Sequence, residues 1–274
     1  MAKRPLLFAF SFFVLGLVSF ITQASEAAQT GLDLPQPNGC YPVGVKTLSL
    51  TDTSRSRDLV VTFWYPAMGG TFPLAPYMDQ KTADAVAEEW KLQPGFERQV
   101  HTHSRTLAPI AQQGPYPVVF LEHGTGTVPS IYTGLAEGVA SMGFVVVAIN
   151  HTPDSLISVF ADGHAVRFKP YWPSDADRRT QGEAMGRFAE DVLVRDVRFV
   201  LDKLGEMQSH DDFWHGQLGV SRVGIVGHSI NERDAIHQSP TSKTARPDTD
   251  LCDSGLCERL PLMCNCSAIG AWIH

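Results

Sequence analysis

Three short apolar runs, each leading into a histidine, constrain this chain more than any other feature. "YPVVFLEHG" (Tyr116 to Gly124) is rich in β-branched residues and stops at a glycine. "FVVVAIN" (Phe144 to Asn150) is continuously apolar, the pattern of a strand buried on both faces. "VSRVGIVGHS" (Val220 to Ser229) is the third. Between the first two, "SIYTGLAEGVASMG" (Ser130 to Gly143) has helical spacing, with Ser130 as the expected N-cap and Gly143 as the stop. Between the last two, "EAMGRFAEDVLVRDVRFVLDKLGEM" (Glu183 to Met207) predicts an amphipathic helix whose apolar face is Phe188, Val192, Val197, Val200, Leu201 and Leu204. Strands alternating with helices predict a parallel sheet with right-handed crossovers. Such sheets take their ligands beyond the carboxyl ends of the strands. The loops leaving those ends are "EHGTG", "NHTPD" and "GHS", so histidines and a serine converge on one edge.

Upstream, "VGVKTLSL" (Val43 to Leu50) and "DLVVTFWYPA" (Asp58 to Ala67) alternate apolar and polar residues around a turn-rich "TDTSRSR". They predict an antiparallel hairpin. A helix is expected over Thr82 to Leu92, and a long loop over Thr152 to Thr180. The fold class is therefore α/β: a mostly parallel sheet with an N-terminal antiparallel hairpin.

The third run carries chemistry. In a nucleophile turn a serine sits between strand and helix, with small residues two before and two after it, so that its oxygen is exposed. Gly227 meets the first requirement and Ser229 is the nucleophile candidate; Asn231 stands where the second small residue belongs. Two backbone N–H groups are needed to receive an oxyanion: that of Ile230, directly after the serine, and one from the "HGTG" loop, assigned to Thr125. Gly124 and Gly126 leave that loop free to aim its amides. His123 and His228 pack or hydrogen-bond around the turn and are poorly placed to be the base. His151 with Asp154 either shapes the substrate pocket or caps a loop, and Phe160, Phe168, Tyr171 and Trp172 either line an acyl site or pack the long loop. His101 and His103 are surface polar residues on this reading.

These stretches, together with "YPVGVKTLSLTD…FWYPA", resemble the platelet-activating-factor acetylhydrolase family of α/β-hydrolases over roughly Tyr41 to Ile230. The resemblance implies an α/β-hydrolase-like fold and hydrolysis of short acyl esters, such as the sn-2 acetyl ester of a phospholipid, with no cofactor and no metal. It implies Ser229 as nucleophile, with the Thr125 and Ile230 amides as oxyanion donors. A small ester or phospholipid-like molecule is the expected partner. A different α/β-hydrolase specificity, of dienelactone or polyester type, shares the nucleophile.

After the serine the pattern breaks. The order in these folds is Ser, then Asp, then His. Residues 231–274 instead offer Asp250, Asp253, His237 and His274 without a recognisable strand or helix, punctuated by Pro240, Pro247 and Pro261. Four of the five cysteines, Cys252, Cys257, Cys264 and Cys266, crowd this stretch, while Cys40 stands alone. Their spacing lacks the paired pattern of a zinc site. The expectation is a hydrolase domain over 40–230, incomplete on its C-terminal side and truncated or frame-shifted after the serine turn. The tail over 231–274 is then disordered, the strand bearing Ser229 becomes an exposed edge, and the chain is a crippled enzyme or a non-catalytic remnant or binding module.

Residues 1–24 read as an export signal: Lys3 and Arg4, an apolar run from Pro5 to Ile21, then Thr22-Gln23-Ala24. Residues 25–39 are a polar lead-in. The protein is expected to be exported, periplasmic or extracellular, without a stable membrane span once the signal is cleaved. Its net charge of −7 and the lack of a basic patch argue against nucleic acid.

Overall fold

The computed structural model describes residues 31–228 and the backbone of Ala271–Ile273. The export-signal reading, Ser229, Ile230 and the four clustered cysteines lie outside the described residues. Seven strands form the main sheet: β1 (Val43–Asp52), β2 (Arg57–Pro66), β3 (Arg105–Thr106), β4 (Tyr116–Glu122), β5 (Val145–Asn150), β6 (Leu218–Gly227) and β7 (Ala271–Ile273). Their spatial order is β7-β6-β4-β5-β2-β1-β3. The strands β6, β4 and β5 are parallel, as the apolar runs predict, and the hairpin β1–β2 joins antiparallel through β2 against β5. Because β5 and β6 flank β4 on opposite sides, the strand order reverses at β4. This is the switch point at which α/β sheets open a crevice beyond the strand ends.

Alternation of side chains gives the sheet two buried faces. Val118 and Phe120 of β4 pack with Phe63, Val147 and Trp214 on one face; Val119 and Leu121 pack with Trp64, Val146 and Ala148 on the other. Helix α2 (Thr133–Ser141) covers the second face through Ala136, Val139 and Ala140, while the first receives Val197, Val200 and Leu204 of α4 (Val194–His210). Helix α1 (Gln80–Trp90) packs on a smaller cluster that includes Val128, Leu156 and Ile157.

Several boundaries differ from the sequence reading for identifiable reasons. Ser130 does not cap α2. Pro129–Tyr132 forms a 3-10 turn first, and the Ser130 carbonyl accepts the Thr133 hydroxyl at 2.7 Å. Gly143 does end the helix, at φ +97°, a conformation that favours glycine. The second crossover helix begins earlier than expected, at α3 (Arg178–Phe188), because Asp177 caps it by accepting the Thr180 N–H at 2.7 Å. It then passes through a π-turn at Ala189–Leu193 before α4, where one continuous α-helix was expected. The long loop after β5 contains a small hairpin, Ile157–Val159 against Ala165–Arg167.

The strand carrying the serine turn is not an open edge. Ala271–Ile273 runs antiparallel beside it, with Val223 opposite Ile273 and Ile225 opposite Ala271. The sequence offered no strand there because three residues are too few to show a period of two. The unpaired N–H and C=O groups of an edge strand supply the physical reason for the pairing. Among the described residues no helix is long and apolar enough to cross a membrane.

Candidate active site

The site is built where β4 and β6 end side by side. Gly227 is in register with Glu122, and the His228 N–H donates to the Glu122 carbonyl at 3.1 Å. The "HGTG" loop after β4 and His228 after β6 are thus neighbours, although more than 100 residues separate them. Tyr132, just ahead of α2, bridges them. Its hydroxyl lies 2.8 Å from Nδ1 of His228 and receives the Gly124 N–H at 3.4 Å.

Inside the loop most amides are engaged. Gly126, at φ +72°, donates its N–H to the Asp154 carbonyl at 2.8 Å, and Thr127 N–H donates to Gly124 O at 3.0 Å. The Thr125 N–H donates to no group among the described residues. It lies between two tethered neighbours, which makes it a fixed donor with capacity to spare.

Beneath the loop lies a charged cluster that the sequence reading missed. The His151 side chain is 0% exposed and sits between two carboxylates. Its Nε2–H donates to Glu122 Oε2 at 2.6 Å and its Nδ1–H to Asp196 Oδ2 at 2.9 Å. Asp196, on α4, also accepts Arg57 in a two-pronged pair at 2.6 Å each and Arg55 Nη1 at 2.9 Å. Arg55 turns its Nε to Asp52 at 2.5 Å. Three carboxylates therefore meet two guanidiniums and one imidazole, and the cluster is neutral only if the imidazole is protonated.

Burial alone would lower the His151 pKa. The charge of Glu122 and the bond to Asp196 instead push it up to about 10. Burial likewise works against ionisation of Asp196, but the bonds from His151 and Arg57 hold its pKa below the ordinary 3.8. The Asp52 carboxylate, bonded by Ser54 and then Arg55, is lowered to about 2.

His123 behaves oppositely. Its Nδ1–H donates to Gly124 O at 2.9 Å, so Nε2 is the acceptor for the Ser155 hydroxyl at 2.8 Å. Burial and the neighbouring His151 cation lower its pKa. This Ser–His contact has the spacing of an activated nucleophile, but both side chains are sealed from solvent and no substrate reaches them.

The other candidates fall into place. His151 neither lines a pocket nor caps a loop through its side chain; it is the centre of the buried cluster. Asp154 accepts the Tyr171 hydroxyl at 3.0 Å, and the Tyr171 ring stacks on Phe188 at 4.0 Å. Phe160 stacks on His164, and Phe168 packs near Trp172, so these aromatics serve loop packing. His101 bonds Asp33, and His103 bonds the Leu34 carbonyl. Cys40 is exposed and forms no disulfide among the described residues. Among the described residues no group of three or more His, Cys, Asp or Glu side chains is placed to hold a metal ion. Asp250, Asp253, His237 and His274 lie outside the described residues.

The missed residues left two faint signals. Glu122 is a charge at the end of an otherwise apolar strand. Asp196 is a charge in line with Val200 and Leu204, at i+4 and i+8, on the buried stripe of its helix.

Comparison with known proteins agrees with this architecture. A family model described as platelet-activating factor acetylhydrolase, isoform II, matches residues 26–167. A platelet-activating factor acetylhydrolase of Cavia porcellus is 27% identical over 229 residues, covering 74% of this chain and 51% of that protein. A probable 1-alkyl-2-acetylglycerophosphocholine esterase of Arthroderma benhamiae is 22% identical over 72% of this chain and 52% of its own length. The chain thus spans about half the length of these curated relatives. Among solved structures, a ferulic acid esterase from Streptomyces cinnamoneus superimposes with a TM-score of 0.63 at 30% identity, covering 76% of this chain and 58% of its own.

Proposed function

This chain belongs to the platelet-activating factor acetylhydrolase, isoform II, family, and from that premise we propose that it is a serine carboxylic-ester hydrolase acting on short acyl esters. The observation that carries the reading is the adjacency of the glycine loop and His228 at the switch point, with His228 N–H on Glu122 O and the Thr125 amide without a partner among the described residues, between tethered neighbours. Ser229, the next residue after His228, is the proposed nucleophile. Its oxygen attacks the ester carbonyl, the tetrahedral oxyanion takes hydrogen bonds from the Thr125 and Ile230 amides, and the alcohol leaves as the acyl-enzyme forms. Water then releases the acid. A phospholipid-like ester with a short acyl chain, such as an sn-2 acetyl group, is the proposed substrate class, by kinship with the guinea-pig and fungal relatives. No metal or cofactor is called for. Export of the protein, on the strength of residues 1–24, belongs to the same proposal.

A second reading is favoured by one feature. Residues 231–274 show no recognisable strand-ending acid followed by a loop histidine. A chain without those partners retains the oxyanion donors and about 10³–10⁴-fold acceleration over water at best. We therefore propose slow turnover, with a non-catalytic binding module as the rival. Labelling with a fluorophosphonate and a short-chain nitrophenyl ester assay separate the two. Labelling lost in Ser229→Ala supports the hydrolase; no labelling of the folded chain overturns it.

A further inference from the structure

The cluster beneath the glycine loop is larger than fold stability asks of it. Buried ion pairs are weak contributors to net stability, and apolar replacements of similar volume are often as good. What this cluster has instead is an address. Glu122 is the last residue of β4, and the loop Gly124–Gly126 follows immediately. The Glu122 main-chain carbonyl receives the His228 N–H, so one residue joins the ends of β4 and β6. Its carboxylate is buried, with Oε2 on His151 and Oε1 without a hydrogen-bond partner among the described residues. A carboxylate in that situation depends on one cation.

We infer that the His151 cation is a positioning residue for the glycine loop: by clamping Glu122 at the end of β4, it sets where the Thr125 amide points. The functional half of this inference rests on the ester-hydrolase reading; the structural half does not.

The groups facing His151 define how the clamp works. Glu122 approaches from β4 and Asp196 from α4. The neutral His123 ring lies at 5.9 Å between centroids. Arg57 on β2 and Arg55 in the β1–β2 turn reach it only through Asp196, and Asp52 only through Arg55. Removing the imidazole leaves the buried Glu122 carboxylate without its cation. It must then take up a proton or swing toward water, and the loop two residues on moves with it. Removing both Glu122 and His151 charges leaves Asp52 and Asp196 balanced by Arg55 and Arg57. The double change is therefore expected to be milder than the single one.

The test uses the full chain labelled with ¹⁵N-glycine and ¹⁵N-threonine, in four forms: unaltered, His151→Asn, Glu122→Gln, and the two together. The expected result is that His151→Asn shifts or broadens the amide signals of Gly124, Thr125 and Gly126, while Gly143 at the far end of α2 stays in place. In the double variant those signals return toward their original positions. Fluorophosphonate labelling is expected to slow about tenfold or more in His151→Asn and to recover at least half of that loss, on a logarithmic scale, in the double variant. A side chain that merely fills space gives no such rescue. Unmoved loop amides in folded His151→Asn, or a double variant no better than the single one, would overturn the inference. Should His151→Asn fail to fold, Glu122→Gln carries the same test, because it keeps the shape and removes the anion; unmoved loop amides there also overturn it. Absence of labelling in the unaltered chain sinks the hydrolase reading and leaves the amide comparison readable.

Discussion

Two buried histidines, 5.9 Å apart between ring centroids, stand in opposite charge states. His123 follows β4 and His151 follows β5, and both are 0% exposed. Burial penalises the cation in each case. At His123 the penalty prevails: burial and the cation next door outweigh the Gly124 bond and the charges of Asp154 and Glu122. At His151 two carboxylates reverse it. The lesson is that depth does not decide the charge of a buried histidine; the partners delivered to its two nitrogens do. The neutral member ties two loops together, whereas the charged member balances a cluster spread over three strands, a turn and a helix.

The largest test of this contrast removes the carboxylate that distinguishes the two sites. Asp196→Ala leaves Arg57 and His151 without their shared anion. The expected cost is about 3 kcal/mol in urea unfolding, the low end for breaking a buried pair, because both guanidiniums keep some contact with water. His151 is expected to titrate at lower pH in the same variant, followed by imidazole NMR. Unchanged stability would mean that the cluster is not what holds the cation.

The pH dependence of stability sets the two histidines against each other. His151 binds its proton more tightly folded than unfolded. Its contribution is full below the ordinary value of 6.5 and is lost as pH rises through about 10. His123 binds its proton less tightly folded, so its penalty appears as pH falls through 6.5. Urea unfolding across pH 5 to 10 is expected to lose roughly 2 kcal/mol between pH 7 and 9 from the His151 limb. That limb is expected to vanish in His151→Gln while the acid limb remains. A single limb common to both forms would dissolve the distinction.

A smaller effect is expected at the neutral site. Ser155→Ala removes the buried hydrogen bond to His123 Nε2, at about 1–2 kcal/mol. The smallest is at the rim, where Tyr132→Phe loses the bridge from Gly124 to His228 at about 0.5–1 kcal/mol. Thermal unfolding of the two variants side by side checks the order; a rim effect exceeding the buried one would invert it.

Much of the scaffold can be read from the chain in order. The runs ending at Glu122, Asn150 and Gly227 are strands, the hairpin lies within one or two residues of its expected ends, and the three ligand-edge loops follow the expected strands. These are short-range facts, carried by alternation and by turn residues. The start of the second crossover helix was misplaced because Asp177 caps an earlier turn, and its π-turn has no periodic signature. The strand Ala271–Ile273 is visible only against its neighbour.

The candidate site divides in the same way. Strand, glycine loop and Gly-His-Ser pattern are local, and from them the sequence by itself determined the fold class and the loops that leave the carboxyl ends of the strands, and nominated Ser229, Thr125 and Ile230. Only the tertiary structure decided that His151 is a buried cation and not a pocket wall. Its charge depends on Glu122 and Asp196, 29 and 45 residues away, and on guanidiniums a further 139 and 141 residues from Asp196. The physical reason is range. Periodicity is written between neighbours in the chain, whereas a pKa inside a protein is set by whatever charge lies within a few ångströms in space.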